Sequence, residues 1–137
     1  MQRYVLDTNV LVASLSDRSK YHWIWLSLTQ HKDFFLCVTT EILEEYEEVV
    51  QRFYGEKTAA AVLETLVNLP NTMHITSYFR WHFIIADPDD DKFVDCAVAA
   101  QAKFIVSEDH HFKILNREKN PFIRAVNIEQ FKVIMGK

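Results

Sequence analysis

The side chains with the clearest chemical potential in this chain are carboxylates. Asp7 directly follows the short apolar run Tyr4 to Leu6. Asp109 follows Phe104-Ile105-Val106 after two residues, and Asp89-Asp90-Asp91 opens a stretch with apolar residues at helical spacing. An acid at the end of a buried strand is a poor choice for solubility alone. In open parallel sheets the crevice beyond the carboxyl ends of the strands is where ligands bind. Several acids meeting there repel one another unless a cation sits between them. Hard divalent ions such as Mg2+ or Mn2+ take such oxygen donors and keep several waters.

Each acid also has an ordinary reading. Acids in a first helical turn complement the macrodipole, and Asp-Pro-Asp-Asp is common turn chemistry. Asp109 can cap a short helix from His110 to Leu115. Helix phase narrows the Asp89–Asp91 cluster. Phe93, Val94, Ala97 and Ala100 define a buried stripe, with Asp90 near its centre and Asp91 and Asp95 turned more than about 90° away. Asp90 is therefore expected to point into the fold. The run Glu41, Glu44, Glu45, Glu47 and Glu48 reads mostly as a solvated helix face. Within it Glu45 lies closer to the apolar stripe than Glu41, Glu44 or Glu48, and Glu47 flanks the other edge about as closely.

Other chemistries are disfavoured. The chain has two glycines, Gly55 and Gly136, too few for a loop whose backbone cradles phosphate. Any phosphate chemistry must come from side chains or metal. Cys37 and Cys96 form no CxxC pair, which argues against a disulfide scaffold and fits a reducing compartment. The histidines show no HxxxH spacing, and the adjacent His110 and His111 are expected on different faces, so zinc is disfavoured. Ser107 beside Asp109 lacks a histidine base in an elbow motif, which speaks against a hydrolase triad. Net charge is −4, from 15 Lys+Arg against 19 Asp+Glu, and alone this disfavours nucleic acid. With four acids sequestered at a metal, the remaining surface balances.

The elements that must position these acids follow from periodicity. Arg3–Leu6 reads as a strand ending at Asp7, followed by helices over Val10–Leu15 and Tyr21–Gln30. Phe34–Val38 is a buried strand. Thr39-Thr40 caps a long helix over about Glu41–Phe53, whose apolar face is Ile42, Tyr46, Val49, Val50 and Phe53. Gly55 breaks it, Thr58–Leu69 forms the next helix, and Thr72–Thr76 suits a strand. Ile84-Ile85-Ala86 leads into the Asp87–Asp91 turn and a helix to about Ala102. Strands over Phe104–Val106 and about Arg124–Ile128 and a C-terminal helix complete the chain. Helices alternating with apolar strands predict an α/β, three-layer sandwich around a mostly parallel sheet, one domain spanning residues 1–137. The aromatics Tyr21, Trp23, Trp25 and Phe34-Phe35 read as core or a subunit interface rather than a base-stacking surface. No apolar run approaches the ~18 residues of a membrane span, and the N-terminus lacks a signal-peptide pattern. A cytoplasmic location is expected.

In these residues the chain resembles the PIN-domain ribonucleases, in particular the VapC-like toxins of bacterial and archaeal toxin–antitoxin pairs. The likeness is carried by Tyr4-Val5-Leu6-Asp7-Thr8-Asn9-Val10-Leu11-Val12, Val38-Thr39-Thr40-Glu41-Ile42-Leu43-Glu44-Glu45-Tyr46, Asp87-Pro88-Asp89-Asp90-Asp91-Lys92-Phe93 and Ile105-Val106-Ser107-Glu108-Asp109. The four motifs stand in order from residue 3 to about 115. The resemblance implies a PIN-like fold with four acids: Asp7, Glu45 (six residues after Thr39), Asp90 and Asp109. Asn9 and Ser107 match the polar residues that orient the first and last acids. Asp91 stands where relatives often carry Asn, which leaves the third acid's register open between Asp90 and Asp91. Ser107-Glu108 replaces a commoner Thr-Gly and adds a negative charge near the fourth acid. Asp95 is a candidate accessory acid whose helix phase argues against coordination.

The function implied is Mg2+- or Mn2+-dependent endonucleolytic hydrolysis of RNA, leaving 5′-phosphate and 3′-hydroxyl ends. Asp7, Asp90 and Asp109 would be metal ligands, and Glu45 would hold or deprotonate the attacking water. Arg3, Arg52, Lys92, Lys103 and Lys113 are expected to form a local basic rim for RNA. A cognate antitoxin and a homodimer are the expected protein partners. The competing readings are a PIN domain that binds RNA or protein without cleaving, and a receiver-type Mg-binding signalling domain. A receiver needs a phosphoacceptor Asp near mid-chain, where the Thr58–Leu69 helix has none.

Overall fold

The computed structural model describes residues 1–76, 90–113, 116 and 123–137. Five short strands form one sheet, β1 (Arg3–Leu6), β2 (Phe35–Val38), β3 (Thr72–His74), β4 (Phe104–Val106) and β5 (Arg124–Val126). Their spatial order is β3-β2-β1-β4-β5, with every pair parallel. Among the described residues six α-helices flank it: α1 (Thr8–Ser14), α2 (His22–Thr29), α3 (Thr40–Tyr54), α4 (Glu56–Asn68), α5 (Asp91–Ala100) and α6 (Ile128–Ile134). A 3-10 turn covers His110–Lys113. This is the expected α/β sandwich. The Ile84–Ala86 segment and Asp87–Asp89 lie outside the described residues.

The central strands β1, β2 and β4 are nearly pure apolar runs because parallel strands are covered on both faces. The edge strands β3 and β5 carry polar, partly exposed residues. Tyr4, Val5, Leu6, Leu36, Cys37, Val38, Ile105 and Val106 are all buried. Tyr4 stacks on Phe104 and meets Phe131 of α6 at 4.8 Å between ring centroids, while Trp23 of α2 packs on the same Phe131. The α5 helix packs along β1, β2 and β4 and against α3.

Helix α3 starts where predicted, with the Thr39 hydroxyl accepting the Ile42 amide. It ends at Gly55, whose φ of +92° suits a residue without a Cβ. Its buried face is Ile42, Leu43, Tyr46 and Val50. Phe53, expected on that face, is instead 66% exposed, because the last turn of α3 runs out to the α3–α4 hairpin beyond the core. At the C-terminus the strand stops at Val126. Asn127 caps α6 with a reciprocal capping box to Gln130, so Ile128 is helical rather than the end of a strand. Both cysteines are buried and free, with burial pushing the Cys37 thiol up to about 11. No described helix is long and apolar enough to cross a membrane.

Candidate active site

β1 and β4 are neighbours, so their carboxyl ends deliver Asp7 and Ser107 side by side. The Asp7 amide still pairs with the Val106 carbonyl at 3.0 Å, the last rung of that ladder. Asp7 occupies the N-cap of α1 yet makes no capping hydrogen bond with its side chain. Its Oδ2 instead accepts the Ser107 hydroxyl at 2.7 Å. The Ser107 Oγ in turn accepts the Asp109 amide at 2.9 Å. One hydroxyl thereby sets both the first and the last acid, the role expected of Ser107. Asn9 is exposed and, among the described residues, holds neither acid.

Glu45 arrives from α3. The Tyr46 hydroxyl donates to the Leu6 carbonyl at 2.6 Å, which clamps α3 to the last residue of β1. The neighbouring Glu45 then meets the Thr8 hydroxyl through Oε2 and Lys92 Nζ through Oε1 at 2.7 Å. Glu47, the other candidate by helix phase, is exposed. Thr8 and Tyr46 were not singled out as site residues from sequence. Thr8 sits inside the Asp7-Thr8-Asn9 motif, but its partner is 37 residues away and comes into reach only on folding.

The electrostatics tie the acids together. Burial raises the pKa of Asp7 above the ordinary carboxylate value. Hydrogen bonds from Ser107 and the Thr8 amide pull it down, while the charges of Asp109 and Glu45 push it up. Asp7 therefore feels two other carboxylates from two other elements. Asp90 joins from the N-cap of α5, where its side chain makes no capping hydrogen bond. His111 Nδ1 lies 3.7 Å from Asp90 Oδ2 and 3.4 Å from Asp109 Oδ1, so one ring spans the third and fourth acids. Asp109 Oδ1 also accepts the His111 amide at 2.9 Å, so its ordinary turn-capping role is present too.

A PIN-domain family model matches residues 3–111. The chain belongs to the PIN-domain family. Solved structures with similar folds include DNA-bound VapBC2 from Rickettsia felis, at 16% identity over 92% of this chain and 98% of that one, with a TM-score of 0.63. DNA-bound VapBC from Salmonella typhimurium matches at 17% identity over 93% and 98%, with a TM-score of 0.59. The protein PAE2754 from Pyrobaculum aerophilum matches at 13% identity over 98% and 97%, with a TM-score of 0.56. Comparison with curated proteins gave no match.

Three expectations about this PIN domain need correction. Helix phase turned Asp91 and Asp95 away from the core, yet they are only 7% and 1% exposed. The phase argument assumed one buried stripe, whereas α5 is enclosed by β1, β2, β4 and α3 and is buried nearly all round. Asp90, the acid expected to point into the fold, has Oδ2 shielded and its side chain 14% exposed, so it is inward but less buried than the other two. The Glu108 carboxylate lines the same cleft as Asp109, as expected of a charge near the fourth acid, and accepts the Ile128 amide at the start of α6, at 2.8 Å.

Second, the basic rim is mostly elsewhere. Arg3 and Lys103 sit at the amino ends of β1 and β4, opposite the acids, and Arg3 donates to the Ala100 carbonyl. Arg52 pairs with Glu48 in the far turns of α3. Lys92, on Glu45, and Lys113, beside Ser107 and Asp109 in a shared cleft, are the two at the acid edge. Third, the two histidines, expected on different faces, lie together: their ring centroids are 4.4 Å apart with the planes tilted by 58°, and both approach Asp109.

PIN domains typically use divalent metal ions. The donors here are carboxylate oxygens gathered within reach of one another's charge, on a buried Asp7 whose pKa they raise. That set fits a hard divalent cation.

Proposed function

We propose that this chain is a metal-dependent endoribonuclease and the toxin of a toxin–antitoxin pair. The observation that carries the reading is the convergence of Asp7, Glu45 and Asp109 from three elements at the carboxyl edge of β1 and β4. Asp7, Asp90 and Asp109 would hold Mg2+ or Mn2+. An ion held there would supply charge neutralisation for a phosphodiester and activation of a water as nucleophile. Ser107 keeps the Asp7 carboxylate turned to the site. Glu45, tethered by Thr8 and Lys92, is placed to orient the attacking water and accept its proton. Lys92 and Lys113 supply positive charge for the RNA backbone at the same edge. Asp91 and Asp95, buried on α5, are the remaining acids able to support the site.

RNA as substrate and an antitoxin as partner rest on the four-motif resemblance. The overall likeness to chains of two VapBC complexes supports the antitoxin assignment. A homodimer is part of the same proposal. Phe34 from the aromatic region is fully buried, whereas Tyr21, Trp23, Trp25 and Phe35 are half-buried and leave part of their surface to serve an interface. Light scattering at micromolar concentration tests it.

The cleavage assay is direct. Purified protein incubated with mixed single-stranded RNAs should cut them in Mg2+ or Mn2+, and EDTA should abolish cutting. RNA binding without cleavage in either metal would favour the non-cleaving PIN reading and overturn this one.

A further inference from the structure

The carboxylate account leaves one ring unused. His111 follows Asp109 by two residues, and its backbone amide is anchored on Asp109 Oδ1. Its Nδ1 is shielded from solvent, sits 3.4 Å from Asp109 Oδ1 and 3.7 Å from Asp90 Oδ2, and makes no hydrogen bond among the described residues. Buried polar atoms normally have hydrogen-bond partners. A ring nitrogen set between two carboxylate oxygens, yet misaligned for a hydrogen bond to either, is poorly served by the protein alone. Asp109, His110 and His111 each offer one ligand atom within 4.8 Å of the others, a spacing that suits donors facing a shared ion. Donors on adjacent positions of one ion stand about 3 Å apart in octahedral and about 3.3 Å apart in tetrahedral geometry. The observed spacings lie just beyond that, within reach of a small ring rotation.

We propose that His111 Nδ1 is a ligand of the ion held by Asp109. The site is then a mixed oxygen–nitrogen centre that favours Mn2+ over Mg2+. The inference rests on the carboxylate metal site proposed above. Imidazole suits transition metals, whereas Mg2+ prefers oxygen donors and its own waters. His110 does not share the role. Its side chain is 78% exposed with Nδ1 3.8 Å from Asp109 Oδ1, and its ring lies tilted against that of His111 from outside.

The test is pulsed EPR on the full-length chain loaded with Mn2+, with calorimetry of Mn2+ and Mg2+ binding alongside. The expected spectrum carries the 14N modulation of a directly bound imidazole. His111→Asn keeps the backbone amide on Asp109 but should erase that modulation. It should also weaken Mn2+ by at least the roughly tenfold typical of even an outer-shell loss, and Mg2+ by less. His110→Asn should retain the modulation. Bound Mn2+ without nitrogen modulation in the wild type overturns His111 as a ligand and leaves the carboxylate site standing. No Mn2+ binding at millimolar concentration overturns both. The wild-type spectrum decides the question even if a variant fails to fold.

Discussion

The two ends of β1 and β4 are built on opposite principles. At the amino ends, Tyr4 of β1 stacks on Phe104 of β4 and is boxed in by Phe34 and Phe131, at 5.6 and 4.8 Å between centroids. Tyr4, Phe34 and Phe131 are fully buried there, and burying these rings is a net gain for folding. Three residues later the same two strands deliver Asp7 and Ser107, and the surroundings become carboxylates. There the protein buries charge against charge, which opposes folding until a counter-ion arrives. The apolar end supplies stability, and the acidic end draws on it. Strained, destabilising arrangements of this kind are characteristic of functional sites.

The comparison can be broken most forcefully at the aromatic end. Phe131→Ala removes the ring that contacts Tyr4, Phe34 and Trp23, and should lower stability by about 3–5 kcal/mol in chemical denaturation. A loss below 1 kcal/mol would mean that this end does not support the fold. At the other end Asp7→Asn should reduce RNA cleavage at least about 100-fold, equivalent to about 2.7 kcal/mol of transition-state stabilisation. The same variant should remain folded by circular dichroism. Wild-type cleavage rates in folded Asp7→Asn would remove Asp7 from the machinery.

A smaller effect concerns the counter-ion. Mg2+ at ten times its Kd should stabilise the wild type by about 1.4 kcal/mol and Asp109→Asn by less, read as a shift in thermal midpoint. An equal response in both would take Asp109 out of the metal site. The smallest effect is the intrinsic penalty of the acids. Burial raises the Asp7 pKa, so the folded chain holds that proton more tightly than the unfolded chain does. The penalty is therefore absent below the unfolded carboxylate pKa and complete above the raised folded value. In EDTA at neutral pH, Asp7→Asn should melt above wild type by about 0.5–1 kcal/mol, and the gain should vanish as pH falls through the carboxylate range. A gain that grows toward acid pH would reverse the sign of this argument.

Local signals in the sequence determined a good deal of this protein. Arg3–Leu6 and Phe104–Val106 are apolar runs bounded by polar residues, so their strand character and the acids just beyond them were legible without a structure. Thr39 announced the start of α3 through its cap, and Gly55 its end. What tertiary packing alone decided was which way side chains face once an element is covered from several sides. An amphipathic stripe finds the inside of a helix that has one wet face, as in α3, where Glu45 was narrowed to two candidates. It fails for α5, whose polar Asp91 and Asp95 face protein rather than water. The pairing of Thr8 with Glu45, the clamp of Tyr46 on Leu6 and the seat of His111 between Asp90 and Asp109 join residues distant in sequence or set by a turn's geometry. No period or cap encodes such contacts, because they depend on where separate elements come to rest against one another.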